Sequence, residues 1–557
     1  MNNSGNSADG KKAEGSSSGL SPRACIALAV FSSCFGATFV FGYCISVLNS
    51  PRQKIECFFL RTWLSSFTLK NSSIDRGAFL DNCIKEEQLS DRLSSRDDNR
   101  LRWMYTMTQV VWVVFAAVGG FMTSLISERF GRRTGLVMAN VFSVLAAISI
   151  APTLAANLPI FVYITRALSG LHNGLTIPMT SMYVTEIVPI RLRGAIGSSG
   201  QLSITIGIFV GGLVGLEQAL NREKYWVVAI ALSGLPSLVS SIALPLLPES
   251  PRFLYLNKGD EAAAKQAVQR FCAPAEVDEA MLALRSEKVK MEQQEAAEKF
   301  SIGTLFTSKR YRMALLITLV LVVVQQLSGI NVVMQYSSIM LENTGVQKST
   351  VPLVTLGVYA LNVLSTIVAL PILEKFGRRL LLLLSLAIVL VSLVALLIVS
   401  QFTPKSFSTA TATQKALSGV ACALVFIYVV GFAIGLGCIT VMYISEIFQQ
   451  KARGAANSVA MGVLQTSNAL VVLTYYTLEK SLGHFVYLIY IVPVTAGLVF
   501  LFFFMPETKN RSTDDIADEL SAKLGGPRTG AGDQQKEVAA ADAMKTAKSS
   551  TAEQEAD

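Results

Sequence analysis

The sequence predicts an all-α membrane protein: twelve transmembrane helices in two six-helix, pseudo-symmetric bundles, with short amphipathic helices between the halves. Three observations carry this reading. Apolar runs of membrane-crossing length recur along the chain, one central polar stretch divides them six and six, and charged loop motifs in the first set return in the second. Composition agrees, since 51% of the 557 residues are hydrophobic and 16% charged, against about 25% charged in ordinary soluble domains. So few charges cannot coat several soluble globules, which excludes an ordinary cytosolic enzyme and a disordered protein alike.

Residues 1–23 are polar and rich in Gly, Ser and Asn, with no apolar core followed by a cleavage site, so they read as a disordered cytosolic N-terminus. The N-terminal bundle occupies 24–248, with runs near 24–48, 104–127, 134–153, 158–188, 195–217 and 225–247, and an extracellular loop at 50–102. Residues 249–311 form a cytosolic linker whose Ala, Glu, Lys and Gln, with apolar residues at three-to-four spacing, predict short amphipathic helices. The C-terminal bundle, 312–505, has runs near 312–343, 350–373, 380–401, 416–445, 455–478 and 484–505. Residues 506–557 read as a mostly disordered cytosolic tail, a candidate docking segment for a cytosolic partner.

Orientation follows from the short loops. Arg129, Arg132 and Arg133, then Arg191 and Arg193, then Lys375, Arg378 and Arg379, then Lys451 and Arg453 all fall on one side, which the positive-inside rule makes cytosolic together with both termini. The net charge of +9 therefore points to a lipid bilayer and not to nucleic acid. Eight scattered Cys without a C-x-x-C pair, and only His172 and His484, offer no metal site, and no cofactor motif or nucleophile with a base appears, so an enzyme is not expected. The extracellular loop permits a disulfide between Cys57 and Cys83 and an N-glycan on Asn71, but spacing alone establishes neither. The sequon at Asn510 falls on the cytosolic side.

The two halves repeat each other. Glu128-Arg-Phe-Gly-Arg-Arg133 returns as Glu374-Lys-Phe-Gly-Arg-Arg379, and Glu186, seven residues before Arg193-Gly-Ala, returns as Glu446, seven before Arg453-Gly-Ala. Pro248-Glu249-Ser-Pro-Arg252 and Pro506-Glu507-Thr-Lys509 close each half. The repeated Glu-to-Arg spacing predicts a cytosolic latch of Arg129, Arg132, Arg133, Glu186, Arg193, Glu249 and Arg252 in the first half. Its counterpart is Glu374, Arg378, Arg379, Glu446, Arg453 and Glu507. Basic topogenic loops alone would not require that spacing twice.

These motifs, with Gln201-Leu-Ser, PESPRFL (248–254), QQLSGIN (325–331) and PETKN (506–510), resemble the sugar porter family of the major facilitator superfamily, in particular the animal facilitative glucose transporters, over about residues 25–515. The resemblance implies the major facilitator fold and a small neutral sugar as substrate. It implies that Gln201, Gln325, Gln326, Asn331 and Asn362 bind hexose hydroxyls, that Ser328 and Gly329 interrupt the seventh helix, and that Gln335 and Tyr336 belong to its gate. Carboxamides suit this role because they donate and accept toward a polyol without bringing a charge.

Several residues depart from the family. Val441 and Gln465 stand where many glucose transporters carry Trp, Leu464 where they carry Asn, Ala433 where they carry Glu, and Gln335 where a gate Tyr is expected. A millimolar sugar site is worth only about 4 kcal/mol, and each lost contact about 1 kcal/mol, so these changes point to a rebuilt site or slow turnover of glucose. Val441 removes bulk, which leans toward a ketose. After Phe41-Gly42-Tyr43, Cys44 stands where the proton symporters carry Asp, while Arg166 is retained, which favours uniport. His172 reads as a neutral, locally satisfied side chain. The expectation is therefore facilitative transport of a monosaccharide, glucose or another hexose, across the plasma membrane by alternating access. The alternatives are a proton-coupled sugar or polyol symporter and a non-transporting sugar sensor.

Overall fold

A computed structural model describes residues 21–49, 51–63, 83, 93–188, 196, 199–216, 219–220, 225–297, 302–337, 340–341, 347, 350–402, 411–509, 511 and 513–523. Twelve helical spans follow one another. Span 1 is Pro22–Gly36 continued by Thr38–Ser46, span 2 Ser95–Phe130, span 3 Arg132–Ser149 and span 4 Ile160–Ile187. Span 5 is Ser199–Val214, and span 6 is Trp226–Ala231 with Gly234–Ala243. Span 7 is Lys309–Leu327 with Ile330–Gln335, span 8 Val351–Phe376 and span 9 Arg378–Ser400. Span 10 runs as Ala412–Phe432, a π-turn at Ala433–Gly437 and Cys438–Ile447, followed by span 11, Gln450–Leu482, and span 12, Tyr487–Phe504. Among the described residues ten segments are long and apolar enough to cross a membrane. Span 4, which carries buried Arg166 and His172, and the 16-residue span 5 complete the set.

Glycines set the closest crossings. A Cβ at Gly42 would lie 2.0 Å from the Ile204 carbonyl oxygen and one at Gly207 2.1 Å from that of Phe39, so spans 1 and 5 meet backbone to backbone, as small residues allow in membranes. Span 1 breaks between Gly36 and Ala37, and the freed Gly36 carbonyl accepts from Ser237 Oγ at 3.0 Å and lies 3.1 Å from His172 Nε2. His172 Nδ1 faces Asn173 Oδ1 at 3.0 Å, while Asn173 Nδ2 has no partner. An Nε2–H tautomer donating to the Gly36 carbonyl, with the Asn173 amide turned so that Nδ2 donates to Nδ1, satisfies both ring nitrogens of His172. His172 is thus a locally bonded core residue.

Three segments differ from the sequence expectation or resolve it. The region expected to be the extracellular loop, 50–102, holds a helix, Arg52–Thr62, and Cys57 and Cys83 are bridged with a Cα–Cα distance of 6.0 Å. Asn71 lies outside the described residues. The linker forms Glu261–Phe271, capped by Asp260, and Val277–Ala297, with Ala264, Ala267, Val268 and Phe271 buried. The tail expected to be mostly disordered, 506–557, holds a folded helix, Thr513–Lys523, on which Ile516 and Leu520 are fully buried and Asp518 pairs with Arg310 at 3.6 Å. Apolar residues four apart make one stripe, enough to dock a short helix though not to build a core.

Candidate functional site

The repeated motifs build the same structure twice at the basic end of the molecule. In the first half Glu249 Oε1 accepts from the main-chain N–H groups of Arg132 (3.0 Å) and Arg133 (2.9 Å), capping span 3, and Oε2 accepts from that of Thr134 (3.2 Å). In the second half Glu507 accepts from Arg378 (2.9 Å) and Arg379 (3.0 Å) at the start of span 9. Gly131 (φ +97°) and Gly377 (φ +88°) precede these helices, and a Cβ on either would strike the capping carboxylate, at 2.6 and 2.8 Å. Arg132 pairs with Glu186 at 3.0 Å and Arg378 with Glu446 at 3.0 Å, while Ser250 and Thr508 hydroxyls donate to the same two carboxylates. Arg133 and Arg379 reach the carbonyls of Leu247 and Phe502, each at 2.6 Å.

Each of these pairs closes within its own half. The spacing repeats because each half folds its own knot. Three expected members act differently: Arg129 lies over the Phe130 ring at 5.5 Å, Arg252 pairs with linker Glu287, and Arg453 donates to the Phe448 carbonyl at 3.4 Å. Arg193 and the side chain of Glu374 lie outside the described residues. Burial pushes the Glu507 carboxyl up, but N–H groups of Lys509, Arg378, Arg379 and Thr508 outweigh it and hold the carboxyl below its ordinary range.

Between the halves lie the amides. Span 7 is interrupted at Ser328 and Gly329, the latter in the left-handed region at φ +88°. Below the break Gln325 Nε2 donates to the Leu436 carbonyl at 2.7 Å, a group left accessible by the span 10 π-turn. Across the break Asn331 Nδ2 donates to Gln326 Oε1. Gln201, from the first half, faces the same turn, since a Cβ on Gly437 would lie 3.4 Å from its Nε2. Four of the five expected amides therefore gather around the span 7 break and the span 10 turn; the fifth, Asn362, is buried on span 8.

Gln335 is buried with both amide atoms unpartnered among the described residues, and Tyr336 packs on Tyr475 of span 11 with centroids 5.3 Å apart and the rings tilted by 33°. Spans 7 and 11 run in the same direction and pack together. Gln465 Nε2 and Asn468 Oδ1, one turn apart, are buried without partners among the described residues. Asn468 is absent from the sequence reading, although an amide in an apolar run is the same signal that singled out Gln201. Gln325 Oε1 is also unpartnered. These spare acceptors and donors match hydroxyl groups.

Arg166 is held by neutral groups. It donates to the carbonyls of Thr108 (3.1 Å) and Cys44 (3.1 Å) and to Gln109 Oε1 (2.7 Å), and lies 4.8 Å from the centre of the Trp112 ring. Among the described residues no carboxylate pairs with it.

Two bundles of six spans, knotted alike at one end and lined with amides where they meet, define a membrane carrier of the major facilitator type. The chain belongs to the sugar transporter family: the family model described as "Sugar (and other) transporter" matches residues 29–520. It is 32% identical over 511 residues to the facilitated glucose transporter member 4 of solute carrier family 2 from Mus musculus, covering 90% of this chain and 93% of that protein. Member 5 from Rattus norvegicus is 32% identical over 501 residues, covering 89% and 92%. The fold matches the proton:xylose symporter XylE bound to 6-bromo-6-deoxy-D-glucose with a TM-score of 0.68 at 21% identity, over 89% of this chain and 99% of that one. The inward-open form of the E. coli xylose transporter XylE aligns at 0.62 and 22%, over 88% and 99%. The protein is a transporter and not an enzyme.

Proposed function

We propose that the chain is a facilitative uniporter of a monosaccharide, glucose or another hexose, working by alternating access in the plasma membrane with its basic end and both termini cytosolic. The observation that carries this reading is the neutral amide cluster, Gln201, Gln325, Gln326 and Asn331, drawn from both halves to the span 7 break and the span 10 turn. Such a cluster recognises hydroxyl groups, and because both halves contribute, substrate bonds differ between the open states, as alternating access requires. Asn362, Gln465 and Asn468 extend the same amide lining.

Uniport is supported by Arg166, whose acceptors are neutral and whose neighbour Cys44 supplies no carboxylate to trade a proton. The relatives' description as facilitated glucose transporters points the same way. Val441, in place of an indole, leaves room beside the turn and favours a ketose. Uptake into proteoliposomes with and without an imposed pH gradient tests the reading: equal uptake in both supports uniport, whereas uptake driven by the gradient and abolished by a protonophore identifies a symporter.

A further inference from the structure

At the end remote from the basic loops the halves meet on a residue that the motifs do not mark. Tyr359 of span 8 is fully buried, and its hydroxyl donates to the Met334 carbonyl at 2.8 Å. Asn49, three residues beyond span 1, donates through Nδ2 to that hydroxyl at 2.9 Å and to Ser337 Oγ at 2.5 Å, and Ser337 Oγ lies 3.1 Å from the Tyr359 oxygen. The inventory closes: both Asn49 N–H groups are used, and the Tyr359 oxygen accepts from Asn49 and Ser337 while giving its proton to Met334. Asn49 belongs to the first half, and Met334 and Ser337 to the part of span 7 beyond the Gly329 break. The ring is seated too, because a Cβ on Gly212 of span 5 would lie 2.5 Å from its edge, so only glycine leaves the notch it fills.

The neighbouring residues do not make this junction. The Gln335 amide has no partner among the described residues, and Tyr336 packs its ring on Tyr475 with its hydroxyl toward Thr106 of span 2, not toward span 1. At the basic end the halves touch instead through Ser124 with Ser458 and the Phe121 ring over Gly462.

We propose that Tyr359 is the lock of the remote gate: a positioning residue whose hydroxyl holds the outer part of span 7 to span 1 and so sets how often that end opens. The inference rests on the alternating-access reading, but its test requires no substrate. Hydrogen–deuterium exchange is measured on the full chain in lipid nanodiscs for the parent, Tyr359→Phe, Asn49→Ala and the double variant. Phenylalanine keeps the ring in its notch and removes only the hydroxyl.

The expected result is exchange of 330–337 at least about five-fold faster in Tyr359→Phe, the change that one lost hydrogen bond produces, with span 4 unaltered. The double variant should exceed neither single variant by a further factor of that size, because the bonds share atoms. Unchanged exchange at 330–337, or equal acceleration of span 4, would overturn the lock. Sugar uptake by the same preparations is scored separately, so failure of the carrier reading and failure of the Tyr359 contact are told apart.

Discussion

Gln325 Nε2 donates to the Leu436 carbonyl at 2.7 Å, joining the interrupted seventh span to the π-turn of the tenth. One bond thus ties the two irregular helices of the second half, and the amide oxygen of Gln325 has no partner among the described residues. Replacing Gln325 with Ala removes one of two side-chain donors to the Leu436 carbonyl, which keeps the Thr440 hydroxyl at 2.8 Å, and so costs about 1 kcal/mol. Uptake should fall by about one to two orders of magnitude while detergent-solubilised protein keeps a single size-exclusion peak. Gln325→Glu should fare no better, because a carboxylate offers no proton to the carbonyl.

Gly329 carries φ +88°, and a Cβ there would meet the Tyr490 ring at 3.2 Å. Gly329→Ala therefore costs about 1 kcal/mol in backbone strain, plus a displacement of the ring. The variant should show a lower maximal rate, by roughly five-fold, with nearly unchanged apparent affinity, since the amides on either side are untouched. Initial-rate uptake across a range of sugar concentrations separates the two parameters.

Glu507 holds the start of span 9 through N–H groups on both sides of the loop. Its folded pKa is lowered, so its contribution to stability is complete above the unfolded value of about 4.3 and is lost as pH falls through the folded value. Thermal unfolding followed against pH should show a decline below about pH 4 that is smaller in Glu507→Gln, whose stability is already reduced at neutral pH.

Arg166 makes its bonds to neutral acceptors. Uptake by the parent should be the same at pH 5.5 and 7.5 and indifferent to a protonophore. Arg166→Lys, which cannot reproduce three bonds directed to separate acceptors from one planar group, should lose about ten-fold or more in rate. Arg166→Leu, which leaves those acceptors unpaired, should lose more.

Much of this architecture was legible in the sequence because it is written twice. Glu249 and Glu507, like Glu186 and Glu446, hold the same places in two knots, and the repeated spacing exposed them. Spacing does not say which loop an arginine reaches, so it did not reveal that each knot closes within one half. Gln201, Gln325, Gln326 and Asn331 stood out because an amide in hydrocarbon must be satisfied, and Asn468 obeyed the same rule unnoticed. Tyr359 was not legible: a tyrosine in an apolar run looks like packing, and its meaning depends on Asn49 and Gly212, distant in sequence. The helix at Thr513–Lys523 was hidden because Ile516 and Leu520 form too small a stripe to stand out from the polar residues that follow.

The central claim is a neutral amide site that passes a sugar without a coupling ion. Counterflow of radiolabelled glucose, and separately of fructose, into proteoliposomes at equal pH on both sides tests it most directly, with Gln325→Ala as control. The account predicts accumulation of at least one of the two sugars by the parent and its loss in the variant. No counterflow of either sugar by correctly reconstituted protein, or counterflow that survives in Gln325→Ala, would contradict it.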